Sequence, residues 1–123
     1  MEFQQAPDIQ KRMARIVLHL GMVYIDSEKI KCFRSHGSKT GASARIWSFP
    51  KIWQLALGVS PHYIIEVVTE KFDKLTSDEQ DKVLIHELLH IPRNFSGALL
   101  PHRSRGRSIN MAIINNFFAR LKK

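Results

Sequence analysis

Residues 83–92 read VLIHELLHIP and place three ionisable side chains in the most apolar helical pattern of the chain. His86 and His90 lie four positions apart, so at about 100° per residue both project from one face of a helix, one turn apart. The aliphatic residues around them predict that this helix is buried. Burying both histidines and Glu87 without partners would cost on the order of several kcal/mol. The stretch therefore favours a metal ion bound by both imidazoles, with Glu87 close enough to reach a water on that ion.

The two ends of this helix are also marked in the sequence. Thr76 or Ser77 can cap its start, because Glu79 or Gln80 follows three positions later, as in a capping box. Pro92 ends it, since the residue before a proline avoids helical geometry.

A metal held by protein side chains needs a third ligand, and composition narrows the search for it. No Asp or Glu follows Glu87, and His102 is the only histidine downstream of His90. Turn-forming Pro and Gly residues lie between the two histidines, so the chain can return to the metal. We therefore expect His102 to be the third ligand, with His62 or His36 as the upstream alternatives.

Two further helices are predicted at the ends of the chain. The first begins at Pro7, a residue favoured in the first turn, and stops at Gly21. The second covers residues 108–123 and is capped by Ser108. Both carry an apolar stripe at helical spacing, which indicates that each packs on the core.

Strands are predicted between the first helix and the histidine helix, in residues 22–33, 44–57 and 62–72. Pro50 makes the second of these regions an edge strand or a bend. We therefore expect one α+β domain over residues 1–123. In it a small mixed or antiparallel sheet packs against the histidine helix, with helices at both termini.

Composition places the chain among ordinary globular proteins, because 44% of its residues are hydrophobic and 24% are charged. No apolar run approaches the about 18 residues of a membrane span. The N-terminus lacks the basic-then-apolar layout of a secretory signal. The single Cys32 suits a reducing interior, and we expect a cytoplasmic protein.

The net charge of +8 is concentrated near the C-terminus, because residues 91–123 hold seven Lys and Arg and no acid. Such a surplus favours a polyanion, so nucleic acid is a possible partner. It is also typical of a solubilising surface with cations at a helix C-terminus. The candidate contacts to a polyanion are Arg103, Arg105, Arg107, Lys122 and Lys123.

VLIHELLHIP followed by FSGALLPH resembles the predicted phage and archaeal metallopeptidases, a branch of small zincins close to the SprT-like proteases. The resemblance covers roughly residues 44–103 and implies a minimal zincin-like domain. It also implies that His86, His90 and His102 bind one Zn²⁺ ion and that Glu87 is the general base.

The function implied is zinc-dependent hydrolysis of a peptide or protein substrate by a metal-activated water. An extended substrate would pair with an edge strand, and ARIWSF is the candidate edge. A second donor to the oxyanion is expected from His62, Tyr63 or Arg103.

Three other interpretations remain open at this point. The histidines can be core residues bonded to the backbone, with the glutamate paired to an arginine. The chain can instead be a basic nucleic-acid-binding protein with a structural or vestigial metal site. It can also be a metal-dependent hydrolase that acts on a bond other than a peptide.

Overall fold

The computed structural model describes residues 1–104 and 107–123 and has a mixed α+β fold, as predicted. Its strands are Glu2–Gln5 (β1), Ile30–His36 (β2), Ala44–Trp47 (β3), Tyr63–Val68 (β4), Arg103–Ser104 (β5) and Arg107–Ser108 (β6). Its α-helices are Pro7–His19 (α1), Lys51–Leu57 (α2), Thr69–Phe72 (α3), Ser77–Leu88 (α4) and Met111–Leu121 (α5). Among the helices of the described ranges, none combines the length and the hydropathy that a bilayer span requires.

Four of the strands form one mixed sheet in the order β1-β2-β4-β3. Strands β2 and β4 are parallel, whereas β1 pairs with β2 and β3 pairs with β4 in antiparallel register. Strand β3 therefore lies at an edge of the sheet, as predicted for ARIWSF. The short strands β5 and β6 form a separate antiparallel hairpin.

The core lies between one face of this sheet and the helices α1 and α4. Alternate residues of β4 point into it, and Ile65 stands beside Cys32 of β2 in the register. Helices α1 and α4 cover that face with apolar side chains that are fully or almost fully buried. These are Ile9, Met13, Ile16 and Val17 of α1, and Leu84, Ile85 and Leu88 of α4.

Helix α4 has the predicted capping box at its start. The Thr76 hydroxyl accepts a hydrogen bond from the Glu79 N–H at 3.1 Å, and the Glu79 carboxylate accepts one from the Thr76 N–H at 2.9 Å. The regular helix ends at Leu88, earlier than Pro92 alone predicts. The last turn tightens, because the His90 N–H donates to the Glu87 carbonyl at 3.1 Å, three residues back.

The prediction of a strand over residues 44–57 is wrong in its second half, where the structure has the helix α2. Pro50, with φ −56°, lies at the N-cap of α2, and Gly58 at φ 67° ends it in a left-handed conformation. The apolar side chains of α2 are mostly exposed, so no sheet partner selects an extended backbone there.

Three smaller differences concern the ends of other elements. The strand predicted over 22–33 begins only at Ile30, because a 3-10 turn at Ser27–Lys29 precedes it. The cap of α5 is Asn110, whose side chain accepts a hydrogen bond from the Ile113 N–H at 3.0 Å, and Ser108 belongs to β6 instead. Strand β1 was not predicted, because its polar, exposed residues give no alternating apolar signal.

Candidate metal centre

Three imidazoles meet in front of helix α4. One ring nitrogen each from His86, His90 and His102 lies within 4.8 Å of the others. The Nε2 atoms of His86 and His102 are 3.0 Å apart. Two nitrogens bound tetrahedrally to one Zn²⁺ at about 2.0–2.1 Å would be roughly 3.3 Å apart, so this donor set fits the ion in chemistry and in spacing.

The three histidines come from different segments, which hydrogen bonds hold together. His86 belongs to α4, and His90 lies in the tight turn that follows it. The Nδ1–H of His90 donates to the Leu100 carbonyl at 2.6 Å, and the Leu100 N–H donates to the His90 carbonyl at 2.7 Å. In the tautomer that makes this bond, Nδ1 carries the hydrogen and the Nε2 lone pair is available to a metal, which is the arrangement of a metal-ligating histidine and its outer partner.

The segment of residues 92–101, which leads to His102, is fixed by a buried tyrosine. The Tyr63 hydroxyl accepts a hydrogen bond from the Gly97 N–H at 2.8 Å and donates one to the Ala98 carbonyl, also at 2.8 Å. Gly97 has φ 94°, and a Cβ there would collide with the Phe49 carbonyl oxygen. Only glycine therefore allows the backbone at position 97 to come this close to the Phe49 carbonyl, just past the end of β3.

A second anchor of the same segment comes from α2. The Gln54 amide donates to the Phe49 and Ser96 carbonyls at 2.8 Å each. The Phe49 N–H donates to the Gly97 carbonyl at 2.8 Å, which joins the two segments through their backbones as well. The position of His102 therefore depends on α2 and β4, not on α4 alone.

Glu87 is almost fully buried beside the histidines, and among the described residues no arginine forms an ion pair with it. Burial raises the pKa of Glu87 to about 8, and a hydrogen bond from the Ile46 backbone N–H acts in the opposite direction. Burial, together with the nearby His90 and His102, lowers the pKa of His86 to about 4. His86 is therefore neutral at pH 7, which is the protonation state of a metal ligand.

A cleft of about 930 Å³ opens in front of these groups. It runs between β3, α4, residues 99–102 and the start of α5, where Met111 and Ile114 line it. The Val68 N–H donates to the Ser43 carbonyl at 2.9 Å. Hydrogen-bonded residue pairs alternate with non-bonded pairs along an antiparallel ladder. Since Ser43 is bonded to Val68, Ala44 and Ile46 are in non-bonded pairs with β4, so their backbone groups face away from β4 and into the cleft.

The three residues expected to stabilise an oxyanion lie outside the described lining of this cleft. Tyr63 is only 1% exposed, and its hydroxyl is engaged with the 97–98 backbone. The Nδ1–H of His62 donates to the Ser60 carbonyl at 2.7 Å, and Arg103 is exposed at the start of β5. The assignment of one of them as the oxyanion donor stays a prediction.

The alternative ligands His36 and His62 are not brought to the cluster. His36 lies at the end of β2, where its Nε2 is 3.1 Å from the Gln4 side-chain oxygen. Within the part of the chain that the structure describes, the grouping that could hold an ion consists of His86, His90 and His102.

Two of the basic C-terminal residues that the structure describes make contacts within the fold. Lys122 forms an ion pair with Asp78 at 3.0 Å, and Arg120 donates to the Leu20 carbonyl at 3.0 Å. Arg103 and Lys123 are exposed. Arg105 and the side chain of Arg107 lie outside the described residues. Apart from the net charge, nothing in these contacts supports nucleic-acid binding.

Sequence analysis missed several groups that build this site. The hydrogen-bonding roles of Leu100, Gln54 and the Ile46 N–H depend on partners far away in the sequence. One signal was available, because Gly97 lies between two predicted ligands and an isolated glycine often marks a close backbone approach.

Comparison with known families adds independent evidence. The family model described as "Putative phage metallopeptidase" matches residues 1–112, which include α4 and all three histidines. Searches of curated proteins and of solved structures gave no match. Because the match covers most of the 123 residues, the chain belongs to the family described as "Putative phage metallopeptidase".

Proposed function

We propose that the protein is a zinc-dependent peptidase of the HExxH type, in which His86, His90 and His102 hold one Zn²⁺ and Glu87 is the general base. The observation that carries this proposal is the convergence of three imidazoles next to a buried carboxyl group that forms no ion pair with any residue the structure describes. Membership of a metallopeptidase family supports the same conclusion at the level of the reaction class.

The chemistry divides between the ion and the residues of the chain. A bound Zn²⁺ supplies a Lewis acid that polarises the scissile carbonyl and lowers the pKa of an adjacent water. In our proposal a cation held by the three imidazoles would lower the pKa of the neighbouring Glu87, so that its carboxylate accepts a proton from the attacking water and then donates it to the leaving amine. The Ile46 N–H holds the Glu87 carboxyl group at the side of the cleft that faces β3.

The substrate proposed here is an extended peptide that lies along the edge of β3. The backbone of Ala44 and Ile46 faces the cleft. The Ile46 N–H is engaged with Glu87, so the groups offered to a further strand are the Ala44 N–H and the Ala44 and Ile46 carbonyls. Main-chain pairing would hold the peptide bond in front of the histidines, with little dependence on the substrate sequence.

Replacing Glu87 by glutamine tests the assignment of the base. The Glu87→Gln variant keeps the shape of the side chain but cannot accept a proton, so we expect peptide hydrolysis to fall about 10²–10⁴-fold while bound zinc is retained. Both are measured on the purified protein, by cleavage of an unfolded protein substrate and by metal analysis.

The matched control is Glu28→Gln, which changes an exposed glutamate far from the cleft. It should leave both hydrolysis and metal content at the wild-type level. Hydrolysis by Glu87→Gln at the rate of this control would show that Glu87 is not the base.

A further inference from the structure

Helix α2 carries an unusual exposed apolar surface. Five large apolar side chains are exposed within the eight residues 52–59, and Ile52 and Leu55 are 69% and 67% exposed. The other three are Trp53, Leu57 and Val59. Apolar side chains clustered in this way on a protein surface usually mark a site of interaction. We call these five residues the α2 surface.

The orientation of α2 explains why these side chains point outward. Gln54 is its buried residue, and the Gln54 amide donates to the Phe49 and Ser96 carbonyls. At about 100° per residue, positions 52, 53, 55, 56 and 57 cover an arc of about 200° on the other side. The helix thus buries its polar side chain and exposes its apolar ones, which is the reverse of a helix that packs on its own core.

The α2 surface is separate from the candidate active site. No residue of α2 is among the described residues that line the cleft. The backbone hydrogen bond between Phe49 and Gly97 closes the sheet edge between β3 and α2. A peptide lying on β3 would therefore end before it reached these side chains, so the surface is not a substrate subsite.

Charge and shape indicate what the α2 surface binds. Residues 51–59 contain no Asp or Glu, and Lys51 is exposed at the start of α2, whereas Arg45 of β3 is neutralised by an ion pair with Glu66 at 2.9 Å. Both tryptophans of the chain lie nearby in the sequence and are exposed, Trp47 by 45% and Trp53 by 56%. A second copy would bring Lys51 against its own equivalent around a two-fold axis. A projecting helix would also need a complementary groove in a protein partner, whereas lipid fits around it.

We propose that α2 attaches the protein to an anionic lipid surface, with Ile52, Trp53 and Leu55 entering the boundary between headgroups and acyl chains. Tryptophan rings favour that boundary, and Lys51 beside them would contact anionic headgroups. This attachment is independent of the proposed peptidase function, since the surface contains none of the residues assigned to the metal or to catalysis.

Co-sedimentation with vesicles tests the proposal. Wild-type protein should bind vesicles of phosphatidylcholine mixed with phosphatidylglycerol, and it should bind vesicles of phosphatidylcholine alone less well. The double variant Trp53→Ser/Leu55→Ser should bind the mixed vesicles at least about tenfold more weakly. Lys51→Glu keeps the apolar side chains. It should weaken binding to the mixed vesicles but not binding to the vesicles of phosphatidylcholine alone. In a Trp47→Phe variant, the fluorescence of Trp53 should shift to the blue on binding.

The matched control is Leu18→Ser/Val23→Ser, which removes two apolar side chains that are 79% and 94% exposed but lie away from α2. This control should bind vesicles like wild type. Three results would overturn the proposal. The first is no binding to the mixed vesicles, and the second is equal binding by the two double variants. The third is a wild-type dimer, detected by light scattering, that becomes a monomer in the Trp53→Ser/Leu55→Ser variant but not in the control. Zinc content is measured alongside, and because none of these changes touches a histidine, failure here leaves the peptidase proposal standing.

Discussion

At the scale of single residues, local geometry made part of the site predictable. A separation of four positions places His86 and His90 on one side of a helix in any fold that keeps that helix. His102 was the preferred third ligand, because the chain offers no acid downstream of Glu87 and no histidine downstream of His90 other than His102, although His62 and His36 stayed open as upstream alternatives. The structure brings these three imidazoles together. Spacing and composition are properties of the sequence itself, so predictions that rest on them do not require knowledge of the tertiary fold.

The part played by Tyr63 could not be predicted in the same way. Its hydroxyl bonds to residues 34 and 35 positions away, and the sequence analysis expected it to face the substrate instead. A tyrosine beside a predicted active site gives no local signal that separates these two roles. Only the packing of β4 under the 92–101 segment decides between them.

Removing that hydroxyl should weaken metal binding from a distance. In Tyr63→Phe the Gly97 N–H and the Ala98 carbonyl lose their partner, which should cost about 1–3 kcal/mol of unfolding free energy. The looser segment should also reduce zinc affinity about tenfold, as for other outer contacts of metal sites. Urea unfolding of the metal-free protein and competition with a chelator measure the two effects. Unchanged zinc affinity would contradict a role of Tyr63 in placing His102.

At the scale of elements, the segment of residues 92–101 tests how strictly the backbone is constrained. Gly97→Ala forces a side chain onto a φ of 94° and against the Phe49 carbonyl, so we expect more than about 1 kcal/mol of destabilisation. Gly41→Ala is the matched control, because Gly41 has an ordinary φ and open space around it, and its effect should stay within about 0.5 kcal/mol. Equal effects of the two substitutions, measured by urea unfolding, would show that the segment is not held as described.

Helix α2 shows why some elements escape sequence analysis. Its composition is typical of a strand, yet Pro50 and Gly58 set a helical start and stop, and Gln54 fixes it to the 96–97 backbone. A helix of seven residues has little intrinsic stability, so such tertiary contacts decide its conformation. In α4, by contrast, the capping box and the long apolar pattern agree, and the prediction was confirmed.

At the scale of the whole molecule, one buried cluster joins the two long helices of the core. Arg12 of α1 donates to the Asp81 carboxylate at 2.8 Å, to the Gln80 side chain at 2.7 Å and to the Ser77 carbonyl at 3.0 Å. Arg12→Ala should therefore reduce the free energy of unfolding by about 3 kcal/mol, because it leaves Asp81 buried and unpaired.

Arg34 provides the comparison for this prediction. Its partners Asp8 and Asp73 are largely exposed, with side chains 61% and 45% accessible, so Arg34→Ala should cost about 1 kcal/mol or less. Urea unfolding of both variants gives the difference directly. An Arg12 variant no less stable than the Arg34 variant would contradict the importance of the α1–α4 cluster.

The net charge illustrates a limit of whole-chain composition. The C-terminal surplus of cations is visible in the sequence, but their use is not, and in the structure Lys122 and Arg120 make contacts within the fold. Composition counts charges without pairing them, so it could not separate a polyanion-binding surface from a set of intramolecular contacts.

The metal content of the purified protein tests the central claim most directly. We expect close to one zinc per chain in the wild type and in the control His62→Ala, whose imidazole donates to the Ser60 carbonyl and lies outside the histidine cluster. The variant His102→Ala should hold far less zinc after dialysis, because it keeps two of the three imidazoles. Wild-type protein that binds no zinc, or a His102→Ala variant that keeps as much as the wild type, would contradict the proposed metal centre.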